Sequence, residues 1–242
     1  MKNALLTSAA IVCGLTFFSW SAGAQTGEPP VMSTPPVTLE EMNAMYNTTV
    51  GYRTVNIMLT LAVSDAAASN RVYDAICDHY HALRARDEAI DYELGNMTKG
   101  STEWLTQRIA MFPGMSKPLH DRFIAKLSKD LSPEQVDAVK DKMTYGKVQF
   151  TYHAYCSILP NLTEADKAKV LDMLKQAREV ALDGGSSGEK SAIFQQYKDQ
   201  INDYLKTQGI DVAQATREWT ERQKLASKKN ASSPGNEGSS AK

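Results

Sequence analysis

The sequence predicts an all-α protein, a single-domain bundle of about seven helices with short connections. Three observations carry that prediction. Apolar residues recur at intervals of three, four and seven through most of the chain, the period of a helix with one buried side. Several of these runs open on Ser or Thr with an acid or Gln three residues later, as at Thr38/Glu41, Ser132/Gln135, Thr163/Asp166 and Ser186/Glu189. In that pattern the hydroxyl accepts an amide that the first turn leaves unbonded. Alternation fit for a strand shows at Val148, Phe150 and Tyr152, but the segment equally forms a helical stripe through Tyr155 and Leu159, and no partner strand is in sight.

Taken in order, Thr38 opens a first helix with Leu39, Met42, Met45, Tyr46, Val55, Met58 and Leu59 near helical spacing and a break expected near Gly51. After Ser64 a long amphipathic helix sets Val72, Ile76, Tyr80, Leu83 and Ile90 against Asp74, Asp78, His81, Arg84 and Glu88. Gly95 to Pro118 holds Gly95, Gly100, Gly114 and two prolines and reads as a long loop, with only Trp104 to Met111 resembling a helical turn or two. From Leu119 a short helix carries Phe123, Ile124, Leu127 and Leu131. Ser132 caps the next one, with Pro133 in its first position, Leu131 stapled onto Val136 and a left-handed end at Gly146. A helix over Val148 to Leu159 stops at Pro160, and Thr163 starts another with Val170, Leu171, Leu174 and Ala177. Asp183 to Gly188 is a tight glycine-rich turn. Ser186 then caps a helix bearing Ile193, Phe194, Tyr197, Ile201, Tyr204 and Leu205, which Gly209 stops, and a last helix runs from about Asp211 to Ala226 with Val212, Ala215 and Trp219 inside.

The 242 residues are 42% hydrophobic and 23% charged, with a formal net charge of -1. There is no whole-protein field to hold a polyanion, so no nucleic-acid partner is expected. Residues 1–24 place Lys2 ahead of an apolar run and end in Ala22-Gly23-Ala24, the pattern of a signal peptide cut between Ala24 and Gln25. That leader predicts a periplasmic or secreted protein with no stable membrane anchor after cleavage. Residues 25–37 form a Pro-rich linker, residues 38–226 the helical domain, and residues 227–242 a Ser/Gly-rich tail without an apolar anchor, expected to be disordered. Cys77 and Cys156 remain after cleavage; a bridge and two buried thiols fit the sequence equally. There is no CxxC pair and no zinc spacing, and no metal or cofactor is expected.

Gly184 to Ser191 superficially suggests a phosphate loop, but three residues rather than four separate Gly184 from Gly188, Glu189 stands where lysine is needed, and a helix precedes it. A helix start with Ser186, Ser187 and Lys190 nearby would still accept a carboxylate or sulfate. Asp74, Asp78 and His81 share a face at i, i+4, i+7, which any polar helix side produces. Tyr145, Tyr152, Tyr155, Tyr197 and Tyr204 concentrate aromatic hydroxyls beside Arg178, Asp183 and Lys198. Such tyrosines serve either as core with the hydroxyl at the rim or as a carbohydrate or small-acid pocket in which rings stack and Arg and Asp fix hydroxyls. The candidate ligand-binding set is therefore Tyr145, Tyr152, Arg178, Asp183, Lys190, Tyr197, Lys198 and Tyr204. No catalytic residue is singled out: a GxSxG elbow is lacking, and a carboxylate pair for glycoside cleavage stays open because spacing in sequence does not give distance.

Met143-Thr144-Tyr145-Gly146, Ile158-Leu159-Pro160-Asn161-Leu162-Thr163, Ala177-Arg178-Glu179, Asp183-Gly184-Gly185-Ser186-Ser187 with Glu189-Lys190, and Tyr197-Lys198 with Ile201-Asn202-Asp203-Tyr204-Leu205 resemble a family of secreted helical proteins of unknown function from Gram-negative carbohydrate-degrading bacteria. Its members are often encoded among genes for breaking down pectin and other plant polysaccharides. The resemblance runs from about Leu119 to Trp219 and more weakly over Tyr46 to Asp87. It brings no activity, cofactor or catalytic residue; it implies a periplasmic or secreted setting near glycan processing, with an oligosaccharide or a periplasmic protein as partner. Leu131-Ser132-Pro133-Glu134-Gln135 and Leu162-Thr163-Glu164-Ala165-Asp166 also echo the Leu-Thr-x-x-Gln of small periplasmic stress chaperones, although both are accounted for as capped helix starts. Three functions follow as expectations: glycan or partner binding accessory to polysaccharide use, a glycan-active hydrolase or lyase, and a chaperone-like stress protein.

Overall fold

A computed structural model describes residues 37–232; the leader, the Pro-rich stretch up to residue 36 and residues 233–242 lie outside the described residues. The chain divides into Met1–Leu39 and Glu40–Lys242. The second unit is all-α, with no strand among the described residues. The described residues form eight helices rather than about seven: α1 Leu39–Met58, α2 Ala66–Glu93, α3 Thr102–Leu127, α4 Pro133–Met143, α5 Lys147–Ile158, α6 Glu164–Leu182, α7 Ser187–Thr207 and α8 Val212–Ser232. None of them is long and apolar enough to cross a membrane.

Most helix starts follow the caps. Ser132 accepts from Gln135 N while the Gln135 side chain returns to the Ser132 amide, with Pro133 in the first turn. Thr163 accepts from Asp166 N and Ser186 from Glu189 N. The α4–α5 turn uses Gly146 at φ 64° as expected, but Tyr145 is also left-handed at φ 60°, a conformation L side chains rarely adopt. Three expectations need correction. α1 runs unbroken through Gly51. α8 continues past Ala226 to Ser232. The segment read as a loop is mostly helix, since α3 begins at Thr102 under a Ser101 cap and carries Pro113 and Pro118 inside it. Proline removes an amide and crowds the carbonyl four residues earlier; for Pro118 that residue is Gly114, which has nothing within 4 Å of where a side chain would begin.

Three apolar clusters hold the helices. The first joins Val50 and Ile57 of α1, Val72 and Ile76 of α2, Phe123 and Leu127 of α3, Val139 and Met143 of α4, and Leu182 from the end of α6. The second joins Val148 and Tyr155 of α5, Val170, Leu174, Ala177 and Ala181 of α6, and Phe194, Ile201 and Leu205 of α7. A third packs Ile90 and Leu94 on Trp104. Each buried Val, Leu, Ile, Phe or Met among them contributes about 1.5–3 kcal/mol by leaving water. The last turn of α6 therefore faces two interiors, Ala181 in one and Leu182 in the other, and the chain reverses there. Cys77 and Cys156 are both free thiols, so of the two equal readings the structure has the unbridged one; the Cys77 thiol donates to Thr54 Oγ1 at 3.4 Å.

Candidate functional site

The reversal after α6 gathers five buried polar side chains, His79, Arg86, Ser116, Asp183 and Lys190. Asp183 is the C-cap of α6, and a helix end leaves carbonyls unbonded there. Here buried cations take them. Lys190 Nζ donates to Ala181 O and Leu182 O, each at 3.0 Å, and Arg86 Nη1 donates to Asp183 O at 2.7 Å and to Ser116 Oγ at 2.8 Å. Positive charge at this end also complements the helix dipole. Arg86 lies 4.4 Å from the Phe112 ring and grips Asp87 Oδ1 through Nη2 and Nε at 2.8 and 3.2 Å. Arg108 adds a third bond to Asp87 Oδ1 at 3.0 Å and one to Glu189 Oε1 at 3.1 Å.

With both cations engaged on carbonyls, the Asp183 carboxylate faces two imidazoles. His120 Nδ1 lies 3.2 and 3.3 Å from its two oxygens. His79 Nε2 stands 3.8 Å away, too far for a hydrogen bond, and is a buried nitrogen with no partner among the described residues. The His79 ring stacks on Phe123 with centroids 4.0 Å apart. Burial, aided by the charges of Lys190, His120 and Arg86, pushes His79 down to about 3, so it is neutral and its approach to Asp183 is not an ion pair. His120 moves up, chiefly through its hydrogen bond to Asp183 and against desolvation. Burial brings Lys190 down to about 8 against the pull of Asp183 and Glu189. Perturbed groups cluster at functional sites, and structural ion-pair networks perturb them as well.

Beside this centre lies a cleft of about 160 Å³ whose lining includes Tyr46, Arg53, Tyr80, Arg84, Asp87 and Gly185. Tyr46 Oη donates to Tyr80 O at 2.8 Å, and the Arg84 guanidinium sits 4.5 Å over the Tyr46 ring while holding Asn43 Oδ1 at 2.8 Å and Glu88 Oε1 at 2.7 Å. Arg53, exposed and 6.0 Å from the Tyr80 ring, makes no ion pair with any described residue. Gly185 closes the floor: a Cβ there would meet Asp87 Oδ2 at 1.8 Å, so only glycine lets the turn lie on that carboxylate.

Of the eight candidates from sequence, Asp183 and Lys190 share the buried centre. Arg178 joins it indirectly: it bonds Asp141 at 2.7 Å, Asp137 at 2.8 Å and Glu179 at 3.3 Å, and Glu179 in turn accepts from Lys140 at 2.8 Å and lies 3.8 Å from His120 Nε2. Tyr145 is exposed on the α4–α5 turn, near enough to Tyr80 to raise its pKa electrostatically, without lining the cleft. The other four belong to the second interior. Tyr152 and Tyr197 pack against it, Tyr204 Oη donates to Asp166 at 2.8 Å, and Lys198 lines a separate cavity of about 290 Å³ with Phe150 and Tyr155. The eight therefore do not meet in one cleft.

Sequence reasoning passed over His79, Arg86, Arg108, Ser116 and His120. For two of them the signal was present: His79 and Arg86 stand on the stripe of Val72, Ile76, Leu83 and Ile90, and a titratable side chain on a buried stripe must find partners. Ser116 and His120 sat in or just beyond the supposed loop. The residues singled out as a polar face do behave as one, with Asp78 accepting from Lys126 at 2.8 Å. The profile of a family described as "Protein of unknown function (DUF3826)" matches residues 48–225, and the chain belongs to that family. No curated protein matches it.

Proposed function

We propose that this DUF3826 protein is an exported, accessory carbohydrate-binding protein that takes a glycan fragment in the cleft over the Asp183–Gly185 turn. One observation carries the reading: two tyrosine rings, an unpaired arginine and a fixed carboxylate converge on one small concave surface. The accessible part of the Tyr46 ring suits the apolar side of a sugar, and Arg and Asp match its hydroxyls or an acidic substituent. The polar centre beneath supplies rigidity, because Asp87 is clamped by Arg86 and Arg108. The tested prediction uses Arg53, whose removal leaves no buried partner bare. Arg53→Gln melts within about 1 °C of the parent, as exposed changes do, but loses a charge-assisted bond and so about tenfold in affinity for pectic or other acidic oligosaccharides. Calorimetric titration checks both; an unchanged affinity, or an intact protein that no oligosaccharide stabilises, would refute the cleft as a sugar site.

Two other readings have an observation each. The His120–Asp183 pair is an arrangement that moves protons, which favours a glycan-active hydrolase or lyase; prolonged incubation with product analysis, repeated on Asp183→Ala, separates it from binding alone. α1 exposes Met45, Tyr52 and Val55, followed by Leu59 just past its end, on the side away from Val50, Thr54 and Ile57. That stripe favours a protein partner or a chaperone-like role, and client-aggregation assays with Leu59→Glu test it.

A further inference from the structure

We propose that the groove between α8 and the α5–α6 turn is a second carbohydrate site, separate from the cleft of Tyr46 and Tyr80. The groove encloses about 590 Å³, within the range of small-molecule sites, and shares no lining residue with that cleft. Its apolar surface comes from Ile158, Leu159, Leu162 and Ile210 on one side and Ala215 and Trp219 on the other. On α8 the residues Ala215, Trp219 and Gln223 follow at i, i+4, i+8, with Glu218 and Arg222 flanking them, so ring and polar groups face the same space.

The polar groups identify the occupant. Asn161, Trp219, Arg222 and the Gln223 side chain line the groove without a hydrogen bond or ion pair to any described residue; Glu218 is held by Gln214 Nε2 at 2.9 Å. Planar amides and a guanidinium around a half-buried indole can grip the rim hydroxyls of a pyranose while the ring takes its C–H face. An apolar peptide helix would need the rim apolar as well and would strand Asn161 and Arg222 without water. The inference goes beyond the first cleft to a surface of its own, and the two can fail separately.

The test titrates the purified protein with short linear oligosaccharides, neutral and uronate-bearing, following heat and tryptophan emission. Trp219 reports directly, because the other described tryptophan, Trp104, is buried in its own cluster. The expected result is a saturable emission change that Trp219→Phe abolishes and an affinity that falls about tenfold in Asn161→Ala and Arg222→Ala. Both of those side chains are exposed, so the variants fold, and Arg53→Gln leaves this signal intact. No response to any oligosaccharide overturns the proposal, as do unchanged affinities in Asn161→Ala and Arg222→Ala or a response to apolar peptides in place of sugars. Heat lost solely in Arg53→Gln would uphold the first cleft and overturn this one.

Discussion

His79 and His120 approach one carboxylate from different helices and answer pH in opposite senses. The folded His79 ring refuses a proton down to about 3 while its ordinary value is 6.5. In that window the unfolded chain binds the extra proton, and stability drops as pH falls through it. His120 is raised above 6.5; its contribution is complete below that value and is lost as pH rises through the folded-state pKa. Imidazole NMR shifts should show His79 neutral at about pH 5 and His120 charged there. The stability gap between parent and His120→Gln should be largest near that pH and shrink as pH rises through the raised folded-state pKa of His120. A His79 resonance titrating near its ordinary value would contradict this account. Gly185 gives a second prediction at the same scale: Gly185→Ala must push Asp87 off two arginines and should cost about 1–3 kcal/mol in chemical unfolding, with no such cost at Gly188, whose nearest neighbour would be Ser186 Oγ at 3.8 Å.

Among the helices, α3 shows where the sequence was legible and where it was not. Caps at Ser132, Thr163 and Ser186 could be read because a hydroxyl and the residue three positions later interact locally. Much of α3 could not: Pro113, Gly114 and Pro118 inside it have poor intrinsic propensity, Gly95 and Gly100 stand just ahead of it, and the helix forms because Trp104, Phe123 and Leu127 find apolar partners on other helices. Packing outweighs propensity there. Pro118→Ala restores an amide to the Gly114 carbonyl and should stabilise the protein by about 2 kcal/mol after the entropy gained by the unfolded chain. Hydrogen exchange through residues 114–122 should slow accordingly. The same misreading hid Ser116 and His120, while Asp183 and Lys190 were visible because the glycine-rich turn drew attention to them.

At the scale of the whole molecule, the fold class could be read from period and caps alone, whereas the site depends on which helix ends meet, and that is set by the seam between two interiors. Tyr152, Tyr197 and Tyr204 had the composition of a pocket and the geometry of a core, a difference that spacing along one helix does not carry. Leu182 is completely buried in the first cluster although its helix belongs mainly to the second. Leu182→Ala should therefore cost about 2–5 kcal/mol and lower exchange protection in α2 and α7 together. Loss confined to one of them would mean that the interiors melt independently.

A helix whose final turn is shared by two interiors also constrains how such a protein could have arisen. The first group of helices does not close its hydrophobic interior without Leu182, a residue borrowed from that turn, so a gene cut that parted α6 from those helices would leave a greasy hole in them. Insertions that lengthen loops elsewhere leave the arrangement whole, and those at Asp183–Gly185 do not.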